Sequence, residues 1–63
     1  MNRDTLNTIA SLFNHMPDED ITVLERQVAE TLVEAGYLKK EDLEVEVGGK
    51  VINYGPEYVF VRQ

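Results

Sequence analysis

The longest periodic stretch of the chain runs from Asp20 to Leu38, where Ile21, Leu24, Val28, Leu32 and Ala35 recur at steps of three and four. That spacing predicts an α-helix with one apolar face. Thr22 followed by Glu25 has capping-box spacing, with Asp18 and Asp20 as rival N-caps. Gly36 is placed to be the C′ residue, where glycine takes the left-handed conformation without strain, and Tyr37 would then pack back on Leu32. An earlier helix is expected over Asn2 to Met16, capped by Asn2 or Asp4, with Leu6, Ile9, Ala10, Phe13 and Met16 at helical spacing and Leu12 beside them. Pro17 disfavours a helical Met16 and ends it. His15 falls in its last turn, where a solvated cation meets the negative helix end.

From Leu43 the period changes to two. Leu43, Val45 and Val47 alternate with Glu44 and Glu46, the pattern of a half-buried strand. Gly48-Gly49 is a two-residue hairpin signal that sets Val47 against Lys50, Val45 against Ile52 and Leu43 against Tyr54. Lys39 to Asp42 reads as a charged turn, Gly55-Pro56-Glu57 as a second turn, and Tyr58 to Arg62 as a third strand. Residues 1–63 therefore form one small α+β domain, two helices packed on one face of a three-stranded antiparallel β-meander. The covered face would carry Leu43, Val45, Val47, Ile52 and Tyr54. The other would carry Glu44, Glu46, Val51, Asn53, Val59 and Val61, leaving Val51, Val59 and Val61 as a partner or dimer patch unless the third strand shifts by one residue.

Composition narrows the function. At 63 residues without cysteine, the chain has neither a disulfide staple nor a thiolate metal site, and its stability rests on packing, helped by any oligomerisation. Its 43% hydrophobic content is too high for disorder, and no run approaches a membrane span. With no basic-then-apolar leader, a soluble cytoplasmic protein is expected. The net charge is −6, and its placement is uneven: residues 17–46 carry −7 and the remainder +1. Direct binding to nucleic acid or to anionic membranes is disfavoured by that sign.

Candidate chemistry is sparse. There is one His and one Ser, Ser11, and no glycine-rich phosphate loop. Asp18 and Asp20 alternate as calcium ligands do, but no third ligand, glycine or distal Glu follows in register, and helix capping explains them better. Neither a cofactor, a metal nor a catalytic residue is expected, and the chain is read as non-enzymatic.

Two resemblances carry functional expectations. Leu32-Val33-Glu34-Ala35-Gly36-Tyr37-Leu38, followed by a hairpin, resembles the end of a winged-helix domain, in which a helix closing in Leu-x-x-x-Gly-Tyr/Leu leads into the wing. The likeness spans roughly residues 20–54. It departs in charge: Glu25, Glu30 and Glu34 accompany only Arg26 on the helix, and Glu44 and Glu46 stand on the wing, so DNA phosphates would be repelled. In size and charge the whole chain resembles the small acidic inhibitors of phages and mobile elements, anti-CRISPR proteins and other DNA mimics among them. That resemblance implies an inhibitor whose carboxylates occupy a basic nucleic-acid-binding groove of a partner protein or complex. Glu30, Glu34, Glu41, Asp42, Glu44 and Glu46 are the candidate partner-binding residues. The alternatives are a winged-helix-like dimeric regulator and a generic protein-interaction module.

Overall fold

The computed structural model describes residues 2–63. Its elements are helix α1 (Arg3–Ser11), strand β1 (Met16–Pro17), helix α2 (Val23–Glu34) and strands β2 (Leu38–Val47) and β3 (Lys50–Phe60), with a single 3-10 turn at Asp18–Asp20 between β1 and α2. The three strands form one antiparallel sheet in the order β1-β3-β2. The α+β class with two helices is as the sequence predicts. The meander is not, because the third strand is Met16–Pro17 rather than Tyr58–Arg62. No turn interrupts 55–57; β3 runs through to Phe60 as the central strand.

Local chemistry sets the helix ends. Asn2 caps α1 by accepting from the Thr5 N–H at 2.8 Å. The helix stops at Ser11, well short of Met16, and His15 then adopts a left-handed conformation with φ +58°. His15 donates its backbone N–H to the Tyr58 carbonyl at 2.7 Å, which swings Met16 and Pro17 alongside β3. His15 is thus the pivot from helix to strand, and not a helical residue. Thr22 and Glu25 form the predicted capping box, each side chain accepting from the other's backbone N–H. Asp18 is not an N-cap; it holds the Arg26 guanidinium. At the C-terminus of α2, Gly36 sits at φ +87°, its N–H donating to Val33 and that of Tyr37 to Leu32. This is the Schellman arrangement, with Gly36 and Tyr37 at C′ and C″ as the sequence predicts.

The core is small. Ala10, Phe13, Ile21, Ala29, Leu32, Tyr37, Leu38 and Tyr58 are buried together, with Leu6, Ile9, Met16, Val33 and Phe60 packed against them. Of the predicted stripe, Ile21 and Leu32 are buried and Leu24, Val28 and Ala35 are not. Ala29 and Leu32 face inward with Val33 and the stems of Arg26 and Glu30 half-buried, while Leu24 and Val28 are exposed. The side chain of Asn7, also buried, bonds both the backbone N–H and the carbonyl of Gln63, which ties the C-terminal stretch to α1.

The β2–β3 hairpin is longer than expected, because Lys39 to Asp42 are strand and not turn. Val47↔Lys50 and Val45↔Ile52 pair as the two-glycine turn requires, with Gly48 at φ +58° and Gly49 at φ +79°. Leu43 does not pair with Tyr54. Glu44 pairs with Asn53 and Asp42 with Pro56, so Tyr54 and Gly55 together oppose the single residue Leu43, a β-bulge. The Asn53 carboxamide oxygen accepts from the Gly55 N–H at 2.7 Å, and Gly55 takes φ +87°.

The bulge reverses which β3 residues face which side. Directly opposed residues share a face, and β2 alternates without interruption. Leu38, Lys40, Asp42, Glu44 and Glu46 consequently share the helix side of the sheet with Phe60, Tyr58, Pro56, Asn53 and Val51. Lys39, Glu41, Leu43, Val45 and Val47 share the far side with Val59, Glu57, Tyr54, Ile52 and Lys50. The predicted apolar face of Leu43, Val45, Val47, Ile52 and Tyr54 does exist, but it is turned away from the helices. The predicted valine patch is divided: Val51 lies opposite Glu46 on the helix side, Val59 opposite Lys39 on the far side, and Val61 beyond the end of β3.

Candidate functional site

No cleft opens among the described residues, and no group of three metal-ligating side chains gathers there. The feature that stands out is the outer half of the hairpin. The molecule measures 45 × 23 × 16 Å, and in this arm, residues 43–54, every residue is exposed except the half-buried Leu43. Leu38 and Tyr58 at the base are 2% and 0% exposed, whereas Val47 and Val51 near the tip are 55% and 65% exposed.

The structure brings three of the six candidate carboxylates together and separates the other three. Glu30 is committed to the fold. It accepts from the Tyr58 hydroxyl at 2.8 Å and pairs with the Lys40 ammonium at 2.5 Å, and that ammonium also lies 5.4 Å from the centre of the Tyr58 ring. These contacts, Lys40 first and Tyr58 second, hold the Glu30 carboxyl below the usual carboxylate range. Reciprocally, Glu30 raises Lys40, while burial first and Glu30 second raise the Tyr58 phenol. Arg26, one turn before Glu30, is raised by its bond to Asp18, and it also reaches the Asp18 carbonyl at 3.1 Å. Asp18, Arg26, Glu30, Lys40 and Tyr58 form one polar seam that closes the sheet against α2. Sequence reading missed it because its members lie far apart along the chain and are split among a turn, a helix and two strands.

Glu41 pairs with Lys39 at 2.8 Å on the far side of the sheet, and Glu34 is exposed at the C-terminal end of α2. Asp42, Glu44 and Glu46 are the ones brought together. They occupy alternate positions on the helix side of β2, are all exposed, and make no ion pair among the described residues. Alternation on a strand spaces them by about 6.6 Å. Asn53 and Val51 lie opposite Glu44 and Glu46, so no cation stands across from them. β2 is also an edge strand of the sheet, and charge on an edge disfavours pairing with another strand.

The far side of the arm is chemically the reverse: Leu43, Val45, Val47, Ile52 and Tyr54 cover it, with Lys50 at the tip and the Glu41–Glu57 pair below. Glu57 is largely enclosed, its carboxylate 3.2 Å from His15 Nδ1. No helix among the described residues is long and apolar enough to cross a membrane. No protein-family model, curated protein or solved structure matches this chain.

Proposed function

We propose that this protein is a non-catalytic binding module of inhibitor type, which presents its hairpin arm to the basic, nucleic-acid-binding surface of a partner protein. The observation that carries this reading is the row Asp42, Glu44 and Glu46: three exposed, unpaired anions in line on one face of an edge strand. Strand alternation spaces them about 6.6 Å apart, near two axial steps of one DNA strand, each roughly 3.4 Å. An arm one hairpin wide enters a groove that a globular body cannot, and its charge steers the approach to Lys and Arg. In its sharpest form the partner is a CRISPR effector, whose channel for duplex or displaced strand is such a groove.

A second reading keeps the winged-helix likeness. α2 closes at Gly36 and Tyr37 and passes directly into a strand, a two-glycine turn and a returning strand, which is the helix-to-wing order of that family. A regulator built this way would use its acidic wing on protein and not on DNA. The two readings diverge on competition with nucleic acid.

The test is affinity capture from nuclease-treated bacterial lysate, identification of the captured proteins, and challenge with duplex DNA. Release of a nucleic-acid-binding protein by DNA is the expected result, and the double variant Glu44→Lys/Glu46→Lys should fold normally and fail to capture it. A partner indifferent to DNA, or one held equally well by the double variant, rejects the mimic.

A further inference from the structure

β3 is the central strand, but β1 covers only the base of its second edge. There the edge is closed. Met16 and Pro17 pair with Tyr58 and Glu57, the His15 N–H donates to the Tyr58 carbonyl at 2.7 Å, and the Asn14 carboxamide oxygen accepts from the Phe60 N–H at 2.9 Å. Along 50–56 no strand lies beside it among the described residues. The hairpin turn fixes which backbone groups are open there. Val47 and Lys50 are the hydrogen-bonded pair that closes a two-residue loop, and in an antiparallel ladder bonded pairs alternate with non-bonded ones. Val45 and Ile52 are therefore bonded, whereas Val51 and Asn53 turn their N–H and C=O groups away from β2, onto the open edge. Glu46 and Glu44, opposite them, do the same on the edge of β2, but that edge carries the acidic row. The open stretch of β3 carries a single charge, Lys50, and it is positive.

We propose that a second copy of this chain pairs with that edge, β3 against β3, antiparallel about a two-fold axis perpendicular to the sheet. A row of outward backbone donors and acceptors is satisfied by another strand. The open groups fix the register. Val51 of each copy stands opposite Asn53 of the other, and the two pairs exchange N–H and C=O bonds on both sides of the axis. Ile52 then meets its own copy on the axis, and Lys50 of each copy meets Tyr54 of the other, an ammonium beside an aromatic ring. Pro56, which has no N–H to offer, and β1 end the open stretch, so the overlap is confined to 50–54. The tip of each copy, with its Lys50, comes up to the end of β1 in the other. Glu19 and Asp20 follow there, exposed and without an ion pair among the described residues.

Charge selects this occupant and this edge. The chain carries −6, yet 50–56 holds no acid, so two copies meet there without opposing carboxylates. Their β2 strands stand three strand spacings apart, roughly 14 Å, which exceeds the screening length of about 8 Å at physiological salt. The sheet so formed, β2-β3-β3-β2, has an acidic row on each outer strand. Pairing therefore closes at two copies and does not run on into a fibre. A second copy also answers a physical difficulty of the arm, because a two-stranded ribbon alone is marginal in water and a sheet of more strands is not. The contact is one short strand wide, so the dimer is weak and exchanges readily. Asp42, Glu44 and Glu46 stay exposed in both copies. This inference concerns the protein alone and does not rest on the partner proposed above.

Sedimentation velocity and amide hydrogen exchange on the purified protein, from micromolar to millimolar concentration, test it. The expected result is a reversible monomer–dimer equilibrium with a dissociation constant on the order of 100 µM. The amides of Val51 and Asn53 should gain protection as the dimer fills, and those of Glu44 and Glu46, on the other edge, should not. Val51→Pro removes a donor that β2 does not use, and should weaken the dimer at least roughly tenfold. Ile52→Lys sets two ammonium groups together on the axis and should abolish it. A protein that stays monomeric to millimolar concentration overturns the proposal. So does a dimer in which Val51 and Asn53 exchange as fast as in the monomer, or one indifferent to Ile52→Lys. Protection of those two amides that appears only on adding bacterial lysate assigns the edge to a foreign strand, and equally overturns it.

Discussion

The base and the outer half of the β2–β3 hairpin are built from the same two strands and obey opposite rules. At the base, Leu38 and Phe60 pack in the core, Lys40 and Tyr58 both meet Glu30 of α2, and Tyr58 is fully enclosed although it carries a hydroxyl. In the outer half nothing is packed on either face; one side is a row of unpaired carboxylates and the other a row of apolar side chains. Stability is therefore concentrated at the base, and the arm is free to be specified by something outside the monomer. The boundary is the bulge at Tyr54-Gly55, which exchanges the two faces of β3 so that the apolar side of the arm points away from the helices.

The sharpest way to break this comparison is to remove the same kind of group from each half. Leu38→Ala should cost about 3 kcal/mol, as deletion of a fully buried leucine does, and in so small a domain that leaves little folded population. Val47→Ala, a comparable deletion from the arm, should change stability by less than about 0.5 kcal/mol. Urea denaturation measures both, and equal losses would mean that the arm is as much part of the cooperative unit as the base.

The polar seam makes the next largest difference. Tyr58→Phe removes the hydroxyl from Glu30 while Lys40 still pairs with it, and should cost about 1 kcal/mol. The seam also predicts a pH window. Glu30 is lowered by Lys40 and Tyr58, so its contribution is present above its unfolded value, roughly 4.3, and is lost as the pH falls through its lower folded value. Lys40 and Tyr58 are raised, so theirs are present below their unfolded values, about 10, and are lost as the pH rises through the folded ones. Thermal melts across pH should show both limbs. In Glu30→Gln the acid limb should flatten.

The same comparison explains what the sequence made legible. The capping box of Thr22 and Glu25, the Gly36–Tyr37 helix end and the Gly48-Gly49 turn are local devices whose hydrogen bonds close within five residues, and each is where the sequence predicts it. Facing, by contrast, is decided by distant partners. Two stripes one residue apart compete on α2, and the one with the larger side chains, Leu24 and Val28, is outside. Ala29 allows close approach, and the stems of Arg26 and Glu30 contribute burial that an apolar count does not register. β1 is too short to show any period, and Gly55-Pro56 reads as a turn because the bulge uses the same residues as a turn does. Of the candidate acids, Asp42, Glu44 and Glu46 stand free in one row, while Glu30 is drawn into the fold by Lys40 and Tyr58, neither of which is its neighbour in sequence.

Gly55 gives the smallest effect on global stability and the finest resolution of the comparison. It sits at φ +87° with nothing within 4 Å of where a Cβ would stand, so Gly55→Ala meets no clash and adds only backbone strain. That strain is on the order of 1 kcal/mol for a side chain in the left-handed region. Were base and arm one rigid unit, the whole penalty would appear in global unfolding. If the arm opens on its own, the strain is relieved by opening it, and the global free energy should fall by less than about 0.5 kcal/mol. Hydrogen exchange should then show faster exchange confined to the amides of residues 43–54, with those of Leu38 to Lys40 and Tyr58 to Phe60 unchanged. Uniform acceleration through both halves would instead show that the bulge is no boundary, and that the arm is held by the same cooperative core that encloses Tyr58.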